Sequence, residues 1–361
     1  MLFFLIPFIT LFFLSLKLNS SKSMQGYSIE NTQGIKGFFV ITIFLSHFSS
    51  YVHLEAWYDT PLKIYCSLFT QLMVAPFLFY SGFGIFESVK RKGSAYIQAF
   101  PKKRFLKTLL HFDFAIFLFL ILDVIIGRHV RFSVFLSSLI GWKSIGNSNW
   151  FIFAILCVYA FSFIGLSLFK GNLKHALVFI TAMSLAYIAI VSQFKASYWI
   201  NTILAFPLGG LFSLHKEKFV FWASNKSIAL KGTLLWILIL SLTKSGFIPK
   251  NFINSQIALL AFSVALIFFS QHFLLRSKIL NWFGANVFGI YILQRLPMNF
   301  FSHLHLNQYS VHLFFIVSFV STIILCVLFS KWNDWFDEKV LKIPNKPATG
   351  RQICKSILTI V

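Results

Sequence analysis

The stretch Gly34–Val52 reads GIKGFFVITIFLSHFSSYV, and it decides the fold. It is apolar over a length suited to crossing a bilayer as one helix, about 20 residues. It carries Lys36 near its start and His47 eleven residues later. Eleven residues is close to three helical turns, so the two side chains lie on nearly one face, roughly 16 Å apart along the axis. An ionisable group inside such a segment is costly and marks a candidate functional site. A cation at one end of a face and a titratable base deeper along it suit a site that binds an anion and then moves a proton.

Composition extends this reading to the whole chain. Of 361 residues, 57% are hydrophobic, 48 are Phe and only 12% are charged. The mean hydropathy is +0.77. A soluble domain carries about 25% charged residues, so this chain is an integral membrane protein surrounded by lipid. The formal net charge is +22, from 32 Lys+Arg against 10 Asp+Glu. In a soluble protein that excess would point to nucleic acid. Here the cations sit in short loops between apolar runs, where they set topology and attract anionic headgroups or substrates, and no nucleic-acid partner is expected.

Eleven candidate spans follow, near 1–16, 34–53, 63–86, 107–127, 150–169, 175–192, 198–214, 229–243, 254–274, 282–302 and 311–330. The fold class is therefore all-α, a polytopic transmembrane bundle of about 11 helices. Phe132–Trp142 is apolar but too short to cross, and reads as interfacial or re-entrant. Basic residues mark every second loop, most densely in KRKGSAYIQAFPKKRFLK, residues 90–107. The positive-inside bias places that side in the cytoplasm, with the N-terminus outside and the C-terminus cytoplasmic. The first span lacks a basic leader and a small-residue cleavage site, and reads as a retained anchor. Cys66, Cys157, Cys326 and Cys354 are scattered, so neither a metal site nor a disulfide framework is expected.

Several other residues are candidates for chemistry. His47 fits a neutral base and fits equally a histidine bonded to a neighbouring helix. Lys36 fits an anion ligand or an interfacial snorkel. Arg104 and Lys107 are three apart, share a helix face and suit a phosphate-bearing ligand. Asp113 and Asp123 lie inside the fourth span, ten residues apart, and are candidate supporting groups. Trp150 opens the fifth span at an interface, and Arg295 needs a partner or a water-filled cavity within the tenth. There is no phosphate-binding loop, dinucleotide fingerprint, G-x-S-x-G elbow or H-E-x-x-H motif, so hydrolase, ATPase and metalloprotease readings lack support.

Six segments in order carry a resemblance. They are GIKGFFVITIFLSHF (34–48), APFLFYSGFGIF (75–86), FPKKRFLK (100–107), NWFIFAILCVY (149–159), FPLGGLF (206–212) and LNWFGANVFGIYILQ (280–294). Together they resemble the acyltransferase-3 family of membrane O-acyltransferases over about Gly34 to Lys331. The family's core has ten spans, so the resemblance implies one extra N-terminal helix and linker over 1–33, a membrane domain over 34–331 and a basic cytoplasmic tail over 332–361.

The resemblance further implies an O-acetyltransferase of the bacterial cytoplasmic membrane. The donor substrate would be acetyl-CoA or another acyl-CoA, with no permanently bound cofactor and no metal. The acceptor would be a sugar hydroxyl on a surface polysaccharide or lipid-linked precursor. Carried over by residue, His47 is the catalytic base, Lys36 stands for a family Arg, and Arg104 with Lys107 stands for an Arg-x-x-Arg donor-binding pair. Gln294 stands where many members have a second His. The alternative is a flippase or transporter of polyisoprenoid-linked glycans, which would move its substrate unmodified and tolerate loss of His47.

Overall fold

The computed structural model describes residues 2–19, 24–244 and 251–343, and these residues are almost wholly helical. In chain order the helices are α1 (Leu2–Ser15), α2 (Ile29–Ser49), α3 (Thr60–Phe69), α4 (Ala75–Lys92), α5 (Ser94–Phe100), α6 (Lys107–Ile125), α7 (Phe132–Leu139), α8 (Trp150–Leu168) and α9 (Leu173–Val191). They continue as α10 (Ala205–Leu214), α11 (Lys216–Ala223), α12 (Lys226–Lys244), α13 (Phe252–His272), α14 (Lys278–Ala285), α15 (Val287–Leu293), α16 (Arg295–His303), α17 (Leu306–Tyr309) and α18 (Val311–Lys339). Among the described residues, six helical stretches are long and apolar enough to cross a membrane: 71–92, 94–125, 150–168, 173–191, 252–272 and 311–339. The molecule is a multi-pass helical bundle, as its composition requires.

The helix α2 sits at the centre of the bundle. Ser28 caps it, accepting from the Asn31 amide at 3.2 Å, and Glu30 lies in its first turn. From Ile35 to Leu45 nearly every side chain is buried, so α2 is apolar on all sides because protein rather than lipid surrounds it.

Glycines bring its neighbours close. A Cβ on Gly37 would stand 1.9 Å from the Leu280 carbonyl oxygen, and one on Gly284 would stand 1.8 Å from that of Gln33. Backbone therefore lies on backbone between α2 and α14. The pair α4 and α10 repeats the device, with Gly82 against the Phe206 carbonyl and Gly209 against that of Phe79. Where lipid removes the hydrophobic driving force between helices, such small residues let dispersion do the work.

Several expected spans are interrupted. The stretch 63–86 breaks at a 3₁₀ turn over Thr70–Val74, separating α3 from α4. The stretch 282–302 is three short helices, broken at Asn286 and Gln294. Pro297 lacks a donor and its ring presses on the carbonyl four residues back, so the ladder fails near Leu293. The stretch 198–214 starts with a 3₁₀ turn at Ser197–Trp199 and becomes α-helical only at Ala205. α18 runs unbroken through residue 331 to Lys339, and residues 344–361 of the tail lie outside the described residues.

A short two-stranded ladder has no counterpart in the helical pattern. Strands β1 (Leu16–Leu18) and β2 (Phe273–Leu275) pair antiparallel, with Lys17 opposite Leu274. Asn19 extends the join, its amide donating to His272 O at 2.8 Å and its Nδ2 to Gln271 O at 2.9 Å. α1 itself packs through Phe4 stacked on Phe315 of α18, and through Phe8 and Phe12 on Phe38 of α2.

Candidate functional site

The His47 ring sits near the end of α2, where a cavity of about 200 Å³ opens beside it. Ser46, His47, Gln71, Met73, Trp150 and Tyr291 line it. Four elements meet there: α2, the 3₁₀ turn before α4, the start of α8, and α15. The break over Thr70–Val74 is what turns Gln71 and Met73 toward His47, since a continuous helix would carry those side chains past it. His47 Nδ1 is buried and has no hydrogen-bond partner. The Tyr291 ring lies 6.2 Å from that of His47, and the buried Tyr291 hydroxyl, with Ser148 and the Phe151 backbone beside it, makes no well-formed hydrogen bond. Two unsatisfied polar groups on one cavity wall are costly unless a ligand completes them.

Arg295 is the charge that bears on His47. It opens α16, one helical turn beyond Tyr291, and its guanidinium stands 5.8 Å from the Tyr51 ring centre. Neither Asp113 nor Asp123 hydrogen-bonds the His47 ring. Asp113 Oδ1 has no partner, and Asp123 Oδ1 instead meets Arg128 at 3.2 Å beyond the end of α6. Among the described residues no carboxylate orients the His47 ring; the packing of α2 and Tyr291 surrounds it.

The opposite end of the α2 face carries Lys36. Lys36 and Arg104 belong to separate sequence segments, and the structure brings their charges together. Arg104 projects from a π-helical turn over Pro101–Leu106, between α5 and α6. Pro101 supplies no N–H and crowds the preceding turn, which widens the ladder. Arg104 Nε donates to the Tyr96 hydroxyl at 3.2 Å, with Tyr159 alongside. The side chain nevertheless remains exposed. Among the described residues, neither Lys36 nor Arg104 meets a carboxylate at ion-pair distance. Two cations within electrostatic reach of each other and without a counter-ion suit an anionic ligand.

Lys107 goes elsewhere. Its ammonium bonds Asp337 of α18, whose other oxygen takes His111 Nε2 at 2.9 Å. Asp337 is 2% exposed, so this cluster is a tie between α6 and α18. The Arg104/Lys107 pair is therefore divided, one member exposed beside Tyr96 and the other anchoring the fold. Lys90 is likewise engaged, by Glu87 at 2.9 Å.

A family model described as "Acyltransferase domain", the acyltransferase-3 family, matches residues 29–331. The chain belongs to the acyltransferase-3 family. No curated protein and no solved structure matches the chain. In the acyltransferase-3 frame, the glycine-containing segments at 34–48, 75–86, 206–212 and 280–294 acquire a physical meaning: they hold the two backbone-close helix pairs. The matched region starts at the N-terminus of α2 and leaves α1 outside it.

Sequence reading did not find Tyr291, Tyr51, Tyr96 or Asp337. A clear signal existed for two of them. Tyr51 is four residues beyond His47, and Tyr291 is four residues before Arg295. Each therefore shares a helical stripe with a candidate residue. Tyr96 lies eight residues, about two turns, before Arg104 on the continuous helical stretch 94–125, a weaker signal of the same kind; Asp337 carried none, because only the return of α18 brings it to Lys107.

Proposed function

We propose that this membrane acyltransferase moves an acyl group, acetyl in the simplest case, from an acyl-CoA to a hydroxyl of a surface polysaccharide or lipid-linked glycan, with His47 as general base. The observation that carries the proposal is the unpartnered His47 Nδ1 on a cavity wall, three helical turns from the uncompensated Lys36–Arg104 pair. That separation, roughly 16 Å along α2, suits a donor whose phosphates and reacting thioester stand at opposite ends of a long arm.

The chemistry follows from the groups present. Lys36 and Arg104 hold the donor's phosphates, and Lys107 contributes at one remove by anchoring the start of α6. In the cavity the acceptor oxygen attacks the thioester carbonyl while His47 Nδ1 takes the hydroxyl proton. The Tyr291 hydroxyl donates to the oxygen that gains charge in the tetrahedral intermediate. The C–S bond then breaks, the new ester remains on the sugar, and the proton on His47 passes to the departing thiolate. Trp150 supplies an apolar wall against which a sugar ring stacks. Asp113 and Asp123 make no contact with the His47 ring, and Asp123 acts through its ion pair with Arg128.

We place the protein in the bacterial cytoplasmic membrane, with the Lys36–Arg104 end and the C-terminus cytoplasmic and the N-terminus outside. This rests on the alternation of basic loops. We take the transferase unit to begin with α2 at Ile29 and to run to the end of α18 at Lys339, where Asp337 is tied to α6, with an added helix and linker ahead of it and a basic tail after it.

The test is the O-acetyl content of purified surface polysaccharide, read by proton NMR. A deletion strain is complemented with wild type or with His47→Ala at equal membrane level. Acetyl signals restored by wild type alone are expected. Unchanged acetylation in the deletion strain, with glycan missing from the surface, would instead favour a flippase.

A further inference from the structure

Beyond His47, away from Lys36, a second set of polar groups converges from four distant segments. Arg295 begins α16, Tyr51 follows α2, Arg128 follows α6, and Gly146 lies in the loop before α8. The Tyr51 hydroxyl donates to Asn299 Oδ1 at 2.6 Å, and Asn299 Nδ2 donates to Gly146 O at 3.2 Å. Asn307 Nδ2 donates to Tyr51 O at 2.7 Å and fixes the strand of chain behind the ring. Gly146 has φ +98°, and a Cβ there would stand 2.7 Å from Asn299 Nδ2 and 3.3 Å from an Arg128 nitrogen. The turn is therefore open to these two side chains because it carries none of its own. Both arginines act on Tyr51.

The charges do not balance. Asp123 compensates Arg128 at 3.2 Å. Arg295 has no carboxylate at ion-pair distance among the described residues, and its Nε is buried without a partner. A guanidinium next to a reactive histidine, fixed by neighbours and lacking a counter-ion, is set to receive an oxyanion from outside the chain. The donor's phosphates are already met at the other end of α2. We propose that Arg295, with Arg128 and Tyr51, forms an acceptor subsite for an oxyanion, carboxylate or phosphate, carried on the sugar that presents its hydroxyl to His47. In naming the ligand as acceptor, this inference rests on the acyl-transfer reading above; the anion site itself does not.

The test uses the full chain purified into nanodiscs. Binding is titrated with trigalacturonate, with galactose 6-phosphate, with neutral galactotriose and with inorganic phosphate. At least one anionic sugar is expected to bind about tenfold or more tighter than the neutral one, the equivalent of one charge-assisted hydrogen bond. Which of the two does so separates carboxylate from phosphate. Arg295→Gln is expected to abolish the preference, Arg128→Gln to reduce it, and Lys174→Gln, on the distant exposed end of α9, to leave it intact. Equal binding of neutral and anionic sugars by wild type overturns the subsite, as does inorganic phosphate binding as tightly as any sugar. Should Arg295→Gln not fold, Arg295→Lys, which loses the planar fork, takes its place, and an unchanged preference there and in Arg128→Gln overturns the proposal. Acetyl-CoA turnover is read on the same samples. No turnover by wild type with the preference intact sinks the transferase reading alone; normal turnover with no preference sinks the subsite alone.

Discussion

The His47 ring and the Tyr291 hydroxyl face one cavity with no well-formed hydrogen bond to either polar atom, and each expects a different kinetic signature. On the proposed mechanism, His47→Ala removes turnover. Tyr291→Phe keeps the ring and its packing but deletes one donor to the developing oxyanion. Its kcat is expected to fall on the order of 10²-fold with donor and acceptor KM little changed, measured on purified protein with a thiol-release assay. Arg104→Ala should behave oppositely. On the proposed mechanism it removes ground-state grip on the donor, so KM for the acyl-CoA is expected to rise several-fold while kcat stays near wild type. His47, Lys36 and Trp150 were legible in the sequence because an ionisable or amphipathic residue in an apolar run stands out. Tyr291 was not, since a tyrosine among phenylalanines is unremarkable until its hydroxyl is found bare.

At the level of elements, backbone contact between α2 and α14 sets where His47 points. Gly284→Ala places a methyl against the Gln33 carbonyl, at a distance no side chain tolerates, and neither backbone can yield without moving the helix. A loss of stability at the upper end of the roughly 1–3 kcal/mol typical of overpacking, or more, is expected. It would be seen as a lowered melting temperature in detergent by size-exclusion survival. Ala at Gly84, where an added methyl would meet nothing within 4 Å, is the matched control and should be neutral. Pro101 offers a second case. Pro101→Ala restores a donor and allows the π turn to close to an α turn, which rotates Arg104 relative to Tyr96. The expected result is a higher donor KM without loss of fold. Hydropathy showed where helices lie but not where they stop: the breaks at Thr70–Val74 and Asn286 occur inside apolar sequence, and only Pro297 announced the third.

Across the whole molecule, α18 is held to α6 by Asp337, which gathers Lys107 and His111. Removing the acid leaves a cation and an imidazole facing a 2%-exposed site without an anion. Asp337→Asn is expected to cost about 2 kcal/mol, discounted from the 3–5 typical of a broken buried pair because Lys107 is partly open to solvent. Chemical denaturation followed by tryptophan fluorescence would measure it. The basic composition is thus used three ways: in pairs that tie helices together, in uncompensated cations at either end of the His47 face, and in loops. Charge counting predicted the last use and could not separate the other two, because pairing depends on which distant helix supplies the acid.

The short β1–β2 ladder sets an order of events. Residues that leave the ribosome early, Leu16–Leu18 and Asn19, find their partners only at residues 271–275, with one bond spanning 252 positions. During synthesis β1 therefore has no strand to pair with until β2 is made, and until then α1 is held by its ring contacts with Phe38 of α2. The arrival of β2 latches the end of α1 in place, so chains arrested before β2 will carry a Leu16–Asn19 segment that proteases and crosslinkers reach more readily than in the finished fold.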